Sequence, residues 1–136
     1  MKIGILGGTF NPVHIGHLIL AEEAREKLGL AKVIFVPTYI PPHKRGGDIV
    51  SARHRLAMVK AAIRGNPHLS WSDIEIRRRG RSYTIDTLRE LKKRYLHDEM
   101  YFITGSDLLR YLKDWKDLRE VIRMVRFVVA TRPGYP

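Results

Sequence analysis

The sequence predicts an α/β protein built on a doubly wound, five-stranded parallel sheet. Three observations carry that prediction. Short apolar runs alternate with segments of helical periodicity along the whole chain, the pattern of a parallel sheet with crossover helices. In one run, Lys32–Pro37 (KVIFVP), the apolar residues are continuous, as in a strand covered on both faces. A stretch rich in glycine and histidine, Gly7 to Leu18 (GGTFNPVHIGHL), stands where the first strand passes into the first helix.

Lys2–Leu6 is the first strand. A helix from about Ile15 to Leu28 turns Leu18, Ile19, Ala21, Ala24 and Leu28 inward and a charged run, Glu22 to Lys27 broken only by Ala24, outward. Gly29 stands where helices end in a left-handed residue. With Lys32–Pro37 these residues form one βαβ unit with a right-handed crossover. Thr38–Asp48 (TYIPPHKRGGD) is a loop on its prolines and glycines.

Ser51 caps a helix running to about Arg64, with Leu56, Val59, Ala62 and Ile63 inside, and Gly65-Asn66-Pro67 stops it. Leu69–Ile76 holds a third strand, broken near Ser72, and Arg77–Arg81 is a solvated basic turn. Ser82–Tyr95 is a helix with Ile85, Leu88 and Leu91 inward and Asp86 in its first turn, where the dipole favours it. Met100–Thr104 is the fourth strand, and Gly105-Ser106-Asp107 opens a short helix. Trp115 lies in a turn, Leu118–Met124 is a helix, Val125–Thr131 is the fifth strand, and Arg132–Pro136 is a loop.

A chain of 136 residues with 44% hydrophobic content suits a single domain with its own core, here spanning residues 1–136. It contains no cysteine, which excludes a disulfide frame and a thiolate metal site and suits a reducing, cytoplasmic setting. No apolar run has the length of a membrane span, and Met1 leads straight into a strand without a signal peptide. The net charge of +11, from 25 Lys and Arg against 14 Asp and Glu, points to a polyanionic partner. Most aromatics fall at strand or helix-core positions, so a phosphate-rich small molecule is favoured over nucleic acid.

The Gly7–Leu18 stretch fits such a partner. A helix N-terminus presents unpaired N–H groups and the positive end of the dipole, and glycine lets the backbone turn and approach a phosphate. His14 and His17 are three residues apart and share one helix face. A zinc site would need further ligands, and neither cysteine nor a nearby carboxylate offers them, so no protein-held metal is expected. Gly4-Ile5-Leu6-Gly7-Gly8 is not the dinucleotide fingerprint, and no Walker lysine and serine follow. In doubly wound sheets ligands bind beyond the carboxyl ends of strands, and the segments after the first, second and fourth strands converge there.

The string GGTFNPVHIGHL resembles the HxGH signature of the nucleotidyltransferase α/β-phosphodiesterase superfamily, which has a Rossmann-like fold. Further matches are PPHK (Pro41–Lys44), SYTIDTL (Ser82–Leu88), GSD (Gly105–Asp107) with Trp115 beyond it, and RPG (Arg132–Gly134). Together they resemble the bacterial nicotinate-nucleotide adenylyltransferases across nearly the whole chain.

The resemblance implies adenylyl transfer from ATP to nicotinate mononucleotide, with Mg2+ carried mainly by the ATP phosphates. It implies ATP contacts from Gly7, Gly8, Thr9, Phe10, His14, Gly16, His17, Gly105 and Asp107, with Gly16 leaving room for the adenine. It implies that His43, Lys44, Tyr83, Thr84 and Trp115 meet the mononucleotide and phosphates, and that His14, His17 and Lys44 serve catalysis. Asn11 stands where many members have Asp, and a family segment with an Ile-Ser-Ser-Thr-x-x-Arg type motif, expected after RPG, does not occur by Pro136. The rival readings are a sister enzyme, such as pantetheine-phosphate adenylyltransferase or a cytidylyltransferase, and a non-catalytic nucleotide or RNA-binding module. Association into a homo-oligomer is open.

Overall fold

The computed structural model describes residues 1–39, 50–105 and 112–130. Its elements are β1 (Lys2–Gly8), α1 (Ile15–Leu28), β2 (Lys32–Pro37), α2 (Ala52–Ile63), β3 (Leu69–Trp71), α3 (Ile74–Arg78), α4 (Thr84–Arg94), β4 (Glu99–Gly105), α5 (Leu118–Met124) and β5 (Val125–Ala130). The five strands form one sheet in the order β3-β2-β1-β4-β5. Every pairing is parallel. The chain winds outward from β1 to β3 and returns to β4 on the other side, which sets the switch point between β1 and β4. This is the doubly wound fold that the alternating pattern predicts.

Alternation along the strands divides the core into two layers. Ile3, Ile5, Ile34, Val36, Met100 and Phe102 face one side, with Ile85, Leu88 and Leu91 of α4 and Val121 of α5 packed on them. Leu6, Val33, Phe35, Tyr101 and Ile103 face the other, covered by Ala21 and Ala24 of α1 and Val59 and Ile63 of α2. At Gly4 a β-carbon would lie 2.9 Å from side-chain atoms of both Leu30 and Ile103, so close packing over β1 requires glycine there. Gly29 takes the left-handed conformation with φ of 66° at the end of α1, as its position predicts.

Four expectations need correction. The strand at the N-terminus does not stop at Leu6: Gly7 and Gly8 remain in β1, paired with Val36 and Pro37, and the reversal falls at Phe10, with φ of 50°. Ile19 points outward, 50% exposed, because α1 seats on the sheet through Ala21 and Ala24, and a residue two before Ala21 lies on the opposite face. Ala62 is exposed for a related reason. The buried stripe of α2 runs Arg55, Val59, Ile63, four residues apart, and it includes an arginine.

The fourth correction concerns the third strand. It ends at Trp71, after three pairings with Val33, Ile34 and Phe35. Ser72 Oγ then accepts from Ile74 N–H at 3.3 Å, and the chain enters α3 with Asp73 at the N-cap. Ile74 and Ile76, two apart, imitate strand alternation, but Ile74 reaches the core from a helix. Arg77 and Arg78 therefore belong to α3, and only Arg77 behaves as a solvated residue, pairing with Asp73 at 2.7 Å.

Candidate active site

Because the sheet is parallel, β2, β1 and β4 all end at the same edge, at Pro37, Gly8 and Gly105. The N-termini of α1, α2 and α4 gather at this edge, as crossover connections require. Phosphate-holding groups and a second substrate site can therefore share one surface.

The start of α1 is a capping box made of two histidines. His14 is the N-cap, with extended backbone, and its Nδ1 accepts from Gly16 N–H at 3.1 Å. His17 Nδ1 accepts from His14 N–H at 3.0 Å. In the usual capping box these places belong to Ser or Thr and to Glu. Here imidazoles fill them, and the consequence is chemical. A ring whose Nδ1 accepts a hydrogen bond carries the proton of its neutral form on Nε2. Both rings thus present N–H donors while satisfying the helix start. The rings lie 3.9 Å apart between centroids, and Phe10 meets His17 edge-on at 5.0 Å. Phe10 is buried against Phe35, which fixes this face of the pair.

Gly16 owes its place to the same arrangement. A β-carbon there would stand 2.9 Å from His14 Cε1 and 3.0 Å from His14 Nδ1. The glycine makes room for the histidine ring, a role independent of any bound adenine. Gly7 and Gly8 also make room rather than turn the chain: a β-carbon would crowd Phe102 at Gly7 and Phe10 at Gly8, each at 3.3 Å.

On the opposite layer Tyr83 stands at the N-cap of α4, and Thr84 is its first residue. The Tyr83 side chain makes no cap bond to this helix start, and an uncapped helix N-terminus favours an anionic group. Trp115 is half-buried, 5.6 Å from Phe102 and 6.1 Å from Phe127 between ring centroids. Lys116 Nζ lies 5.0 Å from the centre of the Tyr83 ring, so the structure brings Tyr83 and the Trp115 turn together. Gly105 ends β4 beside Ala130 of β5. His43, Lys44, Asp107 and the RPG segment lie outside the described residues.

Two groups that sequence reasoning passed over lie beneath this edge. Arg55 is 1% exposed. Its Nη1 donates to Thr9 O at 2.8 Å and Thr38 O at 2.6 Å, Nη2 to Tyr39 O at 3.1 Å, and Nε to Val50 O at 2.7 Å. The spacing Arg55–Val59–Ile63 is the signal that could have placed it inside. Asn11 Oδ1 accepts from Val50 N–H at 3.0 Å, a bond that Asp could make equally.

The second group is Glu75, 6% exposed, whose Oε2 accepts from Thr87 Oγ1 at 2.6 Å. Arg78 Nη2 donates to that same Thr87 oxygen at 2.9 Å. Burial raises the Glu75 carboxyl from 4.5 to about 7, against the opposing pull of Thr87, Arg78 and Ser82. A carboxyl raised on folding stabilises the fold most at low pH. That contribution disappears as pH climbs through about 7. Chemical denaturation of the wild type should therefore lose on the order of 3 kcal/mol between pH 4.5 and 8, a loss that Glu75→Gln abolishes. Parallel pH profiles for the two proteins would refute this.

The chain belongs to the cytidylyltransferase-like family, whose model matches residues 5–135. It is 48% identical over 134 residues to a probable nicotinate-nucleotide adenylyltransferase of Desulfitobacterium hafniense, covering 98% of this chain and 65% of the relative. It is 44% identical over 134 residues to the nicotinate-nucleotide adenylyltransferase of Bacillus subtilis, covering 98% of this chain and 71% of the relative. The chain thus spans about two thirds of the length of these curated relatives. Among solved structures it is similar to a Plasmodium falciparum nicotinic acid mononucleotide adenylyltransferase complexed with NaAD. There the TM-score is 0.82 at 19% identity, over 99% of this chain and 66% of that one. A putative nicotinate-nucleotide adenylyltransferase from Vibrio parahaemolyticus gives a TM-score of 0.79 at 21% identity, over 96% of this chain and 74% of that one. Both structural likenesses speak for the fold.

Proposed function

We propose that the chain transfers the adenylyl group of ATP to nicotinate mononucleotide, giving nicotinate adenine dinucleotide and pyrophosphate on the route to NAD. The observation that carries this reading is 44–48% identity, over 98% of the chain, to proteins named for that activity. The two-histidine capping box supports it, because both Nδ1 atoms accept at the helix start, which leaves the proton of each neutral ring on Nε2.

A phosphate oxygen of the mononucleotide attacks the α-phosphorus of ATP, and the bond to the pyrophosphate oxygen breaks. The nucleophile is already ionised and the leaving group is a weak base, so positioning and charge neutralisation dominate over proton transfer. The Nε2–H groups of His14 and His17 donate to phosphate oxygens at the helix start. Gly7, Gly8, Thr9 and Phe10 carry the backbone against which the triphosphate lies. Gly105 and Asp107 would serve the adenosine side, and His43 and Lys44 the phosphates.

The open start of α4, at Tyr83 and Thr84, receives the pyridine carboxylate, and Trp115 packs on the ring. Among the described residues no group of three or more His, Asp or Glu could hold a metal ion. Mg2+ would be bound through the nucleotide's own phosphates, where it would offset their charge. No described helix is long and apolar enough to cross a membrane. The lack of cysteine suits a reducing, cytoplasmic site of action.

Trp115→Ala should raise KM for the mononucleotide about tenfold, since stacking acts in ground and transition states alike. It should also cost about 2 kcal/mol of stability through the lost packing on Phe102 and Phe127. A rise confined to the KM for ATP would contradict the placement. The reading as a whole is tested by a substrate panel, with pyrophosphate release measured with ATP and Mg2+ and one acceptor at a time. Nicotinate mononucleotide should support release and phosphopantetheine should not. The opposite preference would move the chain to the sister pantetheine activity.

A further inference from the structure

We propose that Arg55 is a positioning residue: one planar guanidinium sets the spacing between the ATP side and the mononucleotide side of the site. The inference rests on the adenylyl-transfer reading above, and deepens it.

A buried arginine ordinarily meets a carboxylate. Arg55 instead spends four N–H donors on four backbone carbonyls from three segments: Thr9 beyond β1, Thr38 and Tyr39 beyond β2, and Val50 before α2. The fork is rigid, so these carbonyls are held in one fixed relation. Thr9 continues the glycine strand that leads to the histidine cap. Tyr39 continues in the other direction: its N–H donates to Ser82 Oγ at 2.8 Å. Ser82 is buried and stands immediately before Tyr83 at the entrance to α4. A single line of hydrogen bonds therefore runs from Thr9, through Arg55 and Tyr39, to Ser82. It joins the two core layers beneath the edge where both substrates meet. In-line displacement depends on the spacing of those two sides, and a misplacement near 1 Å costs about a hundredfold in rate.

The direct test compares Arg55→Lys and Ser82→Ala, singly and together. Lysine keeps the charge and most of the volume but replaces the fork with one ammonium. Arg55→Lys should lower kcat tenfold to a hundredfold while the Kd for ATP alone changes less than about threefold. Because Arg55 and Ser82 act in series, the double variant should lose no more than the worse single one. A wild-type kcat in Arg55→Lys, a loss wholly in ATP affinity, or strictly additive losses would each overturn the proposal. Hydrogen exchange at the amides of Thr38 and Tyr39 supplies a readout that does not depend on turnover. Arg55→Lys should speed exchange there without speeding it in the strand centres, and unchanged protection at both amides would overturn the proposal even if the protein proved to catalyse another reaction. Activity confined to phosphopantetheine in the wild type, with those amides still released by the substitution, would overturn the functional reading alone.

Discussion

Replacing His17 with alanine should lower kcat by about 10²- to 10³-fold and leave the affinity for ATP within about threefold. The proposal gives His17 two jobs. Its Nδ1 accepts from the His14 N–H at 3.0 Å, and so helps to start α1. That bond places the proton on Nε2, the donor proposed to face the phosphates. Charge on the phosphate oxygens redistributes as pyrophosphate leaves, so a donor aimed at them gains strength in the transition state. The alanine variant loses both jobs. Its structural share is the loss of one cap bond, about 1 kcal/mol of stability. His17→Gln separates them, because glutamine serves well at the third position of a capping box. That variant should recover the helix start but not the turnover. Full recovery of kcat in His17→Gln would reduce His17 to a capping residue.

Gly16→Ala should lower kcat about a hundredfold while leaving stability unchanged or slightly raised. Alanine favours a helix by about 1 kcal/mol over glycine, and Gly16 is the second residue of α1. The new methyl, however, would sit 2.9 Å from His14 Cε1. The His14 ring is exposed and can swing aside, so the fold escapes the clash. The site does not: the ring leaves the Gly16 N–H, and its Nε2 donor moves with it. Combining Gly16→Ala with His14→Ala should add no further loss, because the glycine acts through that one ring. Wild-type turnover in Gly16→Ala, or a further loss in the double variant, would contradict this account.

The parts of the fold legible in the sequence are those written in side chains. KVIFVP marks β2 to the residue, and Gly29 marks the end of α1. Ile85, Leu88 and Leu91 mark the inner face of α4. The motif residues His14 and His17 stand at a helix start, as their place between the first strand and the first apolar-periodic segment predicts, but nothing in their residue types announces the reciprocal capping. What stayed hidden depends on the backbone or on local competition. Arg55 bonds to carbonyl oxygens, which any residue type supplies, so no partner in the sequence announces it. Ile74 and Ile76 alternate as a strand would, but a helix start at Ser72 and Asp73 overrides the pattern. Ile19 is apolar and yet outward, because two alanines already seat α1 on the sheet. Gly7 and Gly8 suggest a turn, but they relieve crowding beneath Phe102 and Phe10 inside β1.

The central claim, that this edge of the sheet joins the adenylyl group of ATP to a mononucleotide, is tested most directly by the fate of labelled phosphorus. The protein is incubated with nicotinate mononucleotide, Mg2+ and ATP labelled at either the α- or the γ-phosphate. The account predicts α-label in nicotinate adenine dinucleotide and γ-label in pyrophosphate, in equal amounts. Transfer of γ-label to the mononucleotide, or failure of α-label to enter any dinucleotide, would contradict it.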